Sequence, residues 1–411
     1  MRAWGDGMEI DEWAIGQRIA QYRQRRGLTQ DELAGLAGIS LSMMKKIEAG
    51  TRTVTRFSQL VLFAQILRVS DLRDLTGVPM SLMPDGRRGH PAAGIVRTVV
   101  LQRGHGADPV GLMRLQRLAG RAWSTWQEPS TFRYDAVGQY LAEVIGLAQA
   151  QVDASTGDER RQALAMASSV YQLARTWTKR VGEYDLSWVV ADRAVACAID
   201  ADDPDLAAAA AWNLAMILSA QGETAEARSV VRHAIEQLGR LIGDRPAPAR
   251  LAVYGGLHLL GATEAAREDD ARDAWNLLDT AAAIAARTGE TNHHRMVFGP
   301  TNVALHRIST AIELGRTREA VELIERTDAR NAVSVERRLT FHIDAARCYT
   351  RRDNVVAAVH MMGRVLHDSR DELRYNPIAR ETLRQLGARC TPSIRADLDR
   401  LLEAAGLNPQ P

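Results

Sequence analysis

The chain is poor in cysteine: Cys197, Cys348 and Cys390 are spaced too widely for a disulfide framework or a Cys-ligated metal site. They read as reduced, buried small hydrophobes, and no metal or other cofactor is implied. No apolar run approaches the roughly 20 residues a membrane span needs. The opening "MRAWGDGMEIDEW" carries acids where a signal peptide would be apolar. The expected setting is cytoplasmic, with no membrane partner. Aromatics are only 5% of residues and alternating Val/Ile/Thr runs are almost absent, which removes the usual signs of strand. Net charge is small too, at +2, so the total neither requires nor excludes a polyanionic partner. A nucleophile elbow, a phosphate-binding glycine loop and a recognisable carboxylate pair are missing, and an enzyme is not expected.

What remains is rich in Ala, Leu, Arg and Glu, residues of high helix propensity. The expected fold is all-α, in two parts. Residues 1–13 form a tail, 14–77 a small helical bundle, 78–109 a linker, 110–405 a repeat domain and 406–411 a second tail. The linker holds Pro79, Pro84 and Pro91 and the Val-rich run "GIVRTVVLQRGHG", and it reads as irregular chain with one short ordered element.

Charge is concentrated in the bundle, where nine Arg/Lys face three acids between Ile15 and Arg68, a balance that suits phosphate contact. "IGQRIAQYRQRR" repeats apolar residues at helical spacing and stops at Gly27. In "TQDE", Thr29 stands three residues before Glu32 as a capping box and starts a second helix that ends at Gly38. Ser40 then caps a third, so two short helices meet across a tight turn, the helix-turn-helix arrangement. "RFSQLVLFAQILRV" and "SDLRDLTG" supply two more helices and make the bundle five-helical. Around the third helix, at about 100° per residue from Leu41, Ser42 falls near 100°, Lys45 near 40° and Lys46 near 140°. Met43, Met44 and Ile47 fall on the opposite side, roughly 200–300° round, and should be core.

"GLTQDELAGLAGISLSMMKKIEAGTR" resembles the phage-repressor or Xre-type helix-turn-helix, with Gln30, Ala34, Gly38, Ser40, Ile47, Glu48 and Gly50 in that pattern's places. The resemblance implies that Gln30 contacts phosphate and braces the reading helix. It also implies that Leu41, Ser42, Lys45 and Lys46 face base edges or flanking phosphates. Arg18, Thr29, Ser40 and Arg52 complete the candidate DNA-binding set. Leu41 departs from the pattern, which has a polar residue there. It either meets a thymine methyl or makes no specific contact.

From Val110 onward helices follow one another and repeat. Ala215, Leu218, Gly222, Ala227, Val231 and Ala234 are separated by 3, 4, 5, 4 and 3 residues. The register recurs at Ala262, Ala265, Asp269, Ala274, Leu278 and Ala281, then at Ile308, Ala311, Gly315, Ala320, Ile324 and Thr327. A further copy is Ala346, Tyr349, Asp353, Ala358, Met362 and Val365, and a weaker one turns at Gly182 and packs Ala191 and Ala194. Small residues let the two helices of a hairpin approach, and the third position makes the turn. These are degenerate tetratricopeptide-like repeats, with reference alanines 47, 46 and 38 residues apart instead of the usual 34 or so. About six hairpins should stack into a right-handed solenoid with a concave inner surface. Trp212, Asn213, Tyr254, His258, Asn302, His306, Asp344 and Arg347 stand at or near its inward positions and form the candidate ligand site. His293, His294 and His306 lack regular ligand spacing, so a metal site is not expected.

"FGPTNVALHR" and "ERRLTFHIDAARCYTRR" make the whole chain similar to actinobacterial regulators with an Xre-type head and tetratricopeptide-like repeats. The architecture also resembles the peptide-sensing RRNPP quorum regulators, in which groove asparagines hold a peptide backbone, a role that would fall to Asn213 and Asn302. The implied function is a sequence-specific transcription regulator. Its partners are double-stranded DNA (a palindromic operator bound by a homodimer) and a peptide or small-molecule effector. A second reading makes the repeats a protein-interaction scaffold and the head a nonspecific DNA anchor.

Overall fold

The computed structural model describes residues 12–52, 54, 57–67, 69, 75, 90–102, 107–389 and 391–407. Among these the chain is all-α, and the extended pairing is a single antiparallel bridge between Thr291 and Phe298. The head comprises α1 (Glu12–Arg25), α2 (Gln30–Leu36), α3 (Leu41–Glu48) and α4 (Phe57–Leu67). The capping box forms as its sequence requires: the Glu32 amide donates to Thr29 Oγ1 at 3.1 Å, and the Thr29 amide donates to the Glu32 carboxylate at 2.7 Å. Ser40 Oγ accepts from the Met43 amide and starts α3. Ile19, Leu33, Ala34, Met44, Ile47 and Phe63 form the centre of the core, so the methionine-bearing face of α3 is turned inward. Helix α1 crosses α3 so closely that a Cβ at Gly16 would lie 2.0 Å from the Ile47 carbonyl oxygen. The expected fifth helix, "SDLRDLTG", lies outside the described residues except for Leu75, which is buried in the same core.

The Val-rich run is an ordered element within the segment 78–109, and it is packed into a core. It forms α5 (Ala93–Gln102), and Val96 and Val100 are fully buried against the first repeat helices. Its apolar residues come in near-contiguous pairs, which periodicity alone assigns to neither helix nor strand; packing decides between them.

Six hairpins follow: α6 (Leu112–Gln127) with α7 (Arg133–Ala154), α8 (Gly157–Arg180) with α9 (Tyr184–Asp200), and α10 (Pro204–Gln221) with α11 (Thr224–Gly239). Then come α12 (Pro248–Arg267) with α13 (Ala271–Thr288), α14 (Pro300–Glu313) with α15 (Thr317–Arg326), and α16 (Val335–Arg351) with α17 (Val355–Asp368). Three helices close the chain: α18 (Arg370–Tyr375), α19 (Pro377–Gly387) and α20 (Arg395–Ala405). The repeat register has a direct conformational basis. Gly222, Asp269, Gly315 and Asp353 all take left-handed backbone, with φ of 94°, 64°, 72° and 58°. That turn reverses the chain between the two helices, and it suits Gly first and Asp or Asn next. The reference alanines Ala227, Ala274, Ala320 and Ala358 are fully buried.

The array does not end freely. Arg133 on α7 donates to Glu372 Oε2 on α18 at 2.6 Å, the Tyr134 amide donates to Asp371 at 2.9 Å, and Arg180 on α8 also pairs with Glu372. The first two hairpins and the closing helices are thereby tied, Arg133 and Glu372 being more than two hundred residues apart in the chain.

Candidate nucleic-acid interface

Glu48, at the end of α3, organises the head. Arg23 holds both its oxygens, at 2.6 and 3.0 Å, and Gln30 Nε2 donates to it at 2.7 Å. Arg23 is therefore spent on an internal pair, and Gln30 braces α3 against α2. Thr29 is exposed but spent on its own cap. Arg18, Gln30 and Lys45 line one open groove between α1 and α3. Ser42 and Lys45 are exposed, and Leu41 is half-buried at the start of α3. Ser42 and Lys45 are the outward ones among them, whereas Arg18 Nη1 is buried and Gln30 is spent on Glu48.

The other side of α3 faces protein. Ser40 Oγ donates to Asp269 Oδ2 at 3.1 Å and Lys46 Nζ to Asp269 Oδ1 at 2.8 Å. Arg52 reaches the same carboxylate oxygen at 3.4 Å. It also donates to the carbonyls of Ala266 and Arg267 at 3.2 and 2.6 Å, where the end of α12 carries partial negative charge. Asp269 thus binds Ser40, Lys46 and Arg52, all nominated for DNA, and its side chain is only 4% exposed; the Ser42 hydroxyl also lies close enough to lower its pKa. Burial pushes the Asp269 carboxyl up, but hydrogen bonds and charge from Lys46, with Ser42 and Ser40, bring it below the ordinary aspartate range. Arg52, itself buried, shifts downward because burial outweighs the nearby Glu313 and Asp269. The sequence placed Asp269 correctly as a turn residue. It gave no sign that the turn meets the head, because 223 positions separate it from Lys46.

On the repeat domain, α8, α10, α12, α14 and α16 pack one on the next and bring the proposed ligand residues onto neighbouring inner helices. Most of those side chains already have partners. Asn213 Nδ2 donates to Gln172 Oε1 and to the Ala209 carbonyl, at 2.9 and 3.0 Å, beside a largely buried Trp212. Tyr254 and His258 meet edge to face at 4.5 Å, and His258 Nδ1 bonds the Tyr254 carbonyl. Asn302 Nδ2 donates to the Val297 carbonyl, leaving its buried Oδ1 without a partner. Asp344 accepts from Ser309 at 2.8 Å and pairs with Arg347 at 3.2 Å. His306 lies 3.3 Å from Thr263 Oγ1, and burial together with Arg337 drags its pKa down to about 3, so the ring is neutral. Gly299 occupies the N-cap of α14, and Glu290 accepts from the Thr301 amide at 2.7 Å. Arg175 was not singled out in the sequence. It is 4% exposed, its Nε lacks a partner, and it lies over the Trp212 ring at 5.8 Å.

Residues 14–75 match a family described as a helix-turn-helix domain. The head is a helix-turn-helix domain. No curated protein matches the chain. Among solved structures the chain is similar to Bacillus thuringiensis PlcR in complex with the peptide PapR7 and DNA, at 13% identity and a TM-score of 0.31, over 76% of this chain and 95% of that one. No helix among the described residues is long and apolar enough to cross a membrane.

Proposed function

We propose that the chain is a DNA-binding transcription regulator whose repeat domain senses a peptide or small molecule. Two copies binding a palindromic operator would supply the contact surface that one small head lacks. The observation that carries this reading is α3 itself: a Ser40-capped helix in a helix-turn-helix domain, with Met43 and Met44 in the core and Ser42 and Lys45 outward. Leu41 and Ser42 would meet base edges, and Arg18, Gln30 and Lys45 phosphates. The inner surface around Trp212, Asn213, Tyr254, His258, Asn302, His306, Asp344 and Arg347 would take the effector. The buried Asn302 Oδ1 has no partner, and a ligand N–H would satisfy it.

Genome-wide mapping of sites bound by the full chain tests the reading. Inverted half-sites about one helical turn apart are expected, and enrichment without a shared sequence would favour the nonspecific anchor. Replacing Lys45 by Ala should weaken binding to a recovered site and lower the log–log salt slope by about one. An unchanged slope would remove Lys45 from the phosphate contacts.

A further inference from the structure

We infer that Asp269 is a built-in competitor for DNA: its carboxylate occupies a phosphate-binding pocket made by Ser40, Lys46 and Arg52 and closes the head against the repeat domain. The inference rests on the reading of the head as a DNA-binding domain.

The donor set is that of a phosphate site. A hydroxyl at the start of a helix, an ammonium and a guanidinium converge on one carboxylate, at 3.1, 2.8 and 3.4 Å. A helix N-terminus with adjoining cations attracts any anion that reaches it, and a DNA phosphate oxygen presents the same acceptor chemistry as Asp269. The two anions cannot share the pocket. The N-terminal end of α3 is also the end that a helix-turn-helix places against base edges, so a hairpin turn seated there excludes the duplex by volume as well as by charge. Thr51 adds to the seat, its carbonyl lying near Gly315 in the turn of the next hairpin.

The loop around Asp269 assigns its charges selectively. "REDDARD" at 267–273 carries Glu268, Asp269, Asp270 and Asp273. Arg228 on α11 takes Glu268, Asp270 and Asp273, leaving Asp269 to the head. A left-handed aspartate does not by itself imply docking, because Asp353 has the same backbone and a side chain that is 83% exposed. What distinguishes Asp269 is burial against basic groups that a DNA-binding head would otherwise leave free. The contact is also coupled to the inner surface: Arg267, whose carbonyl holds Arg52, bonds through its side chain to Glu264 and to Ser219 on α10. An effector that bound the array more tightly in a form with this turn displaced would release the head.

The test uses full-length protein, a fluorescently labelled mixed-sequence duplex at low salt, and hydrogen exchange over residues 40–52. Asp269→Asn removes the charge and keeps a side chain that tolerates the left-handed turn; Asp269→Gly removes the side chain and adopts that backbone freely. Both should bind the duplex about tenfold more tightly than wild type and exchange faster at 40–52. Asp270→Asn, on the same loop but facing Arg228, should change neither. Unchanged affinity and exchange in both Asp269 variants would overturn the latch and leave DNA binding by the head intact. Faster exchange with no gain in duplex binding would overturn the competition, and a complete absence of duplex binding would overturn the DNA-binding reading with it.

Discussion

Asp371 and Glu372 are neighbours in the chain, yet their surroundings drive the two carboxyls in opposite directions. Burial pushes Asp371 up to about 6, against the Tyr134 amide that donates to it, and Asp135 adds to the rise while Arg133 and Arg374 oppose it. Glu372 is buried more deeply still, but Arg180 and Arg133 overcome that and hold this carboxyl at about 2. The signs follow. Asp371 favours the fold when protonated, so its contribution is complete below the ordinary aspartate range and is lost as pH rises through about 6. Glu372 contributes above the ordinary glutamate range and loses that contribution as pH falls toward about 2. Asp371→Asn keeps an oxygen for the Tyr134 amide and removes the buried charge. It should flatten the fall in stability between about pH 4 and 6 and stabilise the protein at neutral pH by up to about 3 kcal/mol. Urea unfolding on either side of that range measures the effect, and an unaltered pH slope would assign the slope to other groups.

At the scale of elements, helix α12 shows how a missing side chain builds a structure. A Cβ at Gly255 would lie 2.1 Å from Phe298 Cζ, and one at Gly256 would lie 2.7 Å from Met296 Cε. The chain between α13 and α14 lays both large side chains onto that bare stretch of helix, and Phe298 is 1% exposed. Gly255→Ala gains helix propensity but overpacks the contact, and should cost about 1–3 kcal/mol net. Adding Phe298→Leu should recover part of that loss in thermal unfolding. A stabilised Gly255→Ala would mean that the ring moves aside at no cost. The helices themselves were legible in the sequence, because caps such as Thr29 and Ser40 and the turn series Gly222, Asp269, Gly315 and Asp353 are local devices. The helical form of α5 was not, since a valine run carries no clear period, and α5 shows as a helix packed on α7. The outward placement of Ser42 and Lys45 followed from simple rotation about α3. The engagement of Ser40, Lys46 and Arg52 by Asp269 did not, because no local rule relates a turn to a helix more than two hundred residues away.

At the scale of the whole molecule, the long-range electrostatic contacts at Asp269 and at Glu372 differ in character. The one at Asp269 leaves Lys46 one-third exposed while Asp269 and Arg52 are buried, so water reaches it from the Lys46 side. The one at Glu372 is sealed: the side chains of Arg133 and Glu372 are 0% and 1% exposed, and Arg133 also stacks over Trp126 at 4.4 Å. A stacked array of hairpins has contacts only between neighbours, which leaves its ends free to splay. Glu372 supplies the missing contact between ends, and the same logic fixes how it should fail. Glu372→Gln leaves the buried Arg133 and the partly buried Arg180 without their shared anion, a change that costs about 3–5 kcal/mol when a buried pair is broken. Because the loss falls at the closure and the hairpins keep their own cores, the variant should unfold at lower urea and scatter X-rays as a larger particle before its helices melt. A shift in the urea midpoint with no change in radius of gyration would mean that the hairpins alone hold the array closed. Unchanged stability would mean that water enters and solvates the two guanidiniums. The expected pattern separates the contacts by purpose: the sealed one holds the array in shape, and the wet one can open without unfolding it.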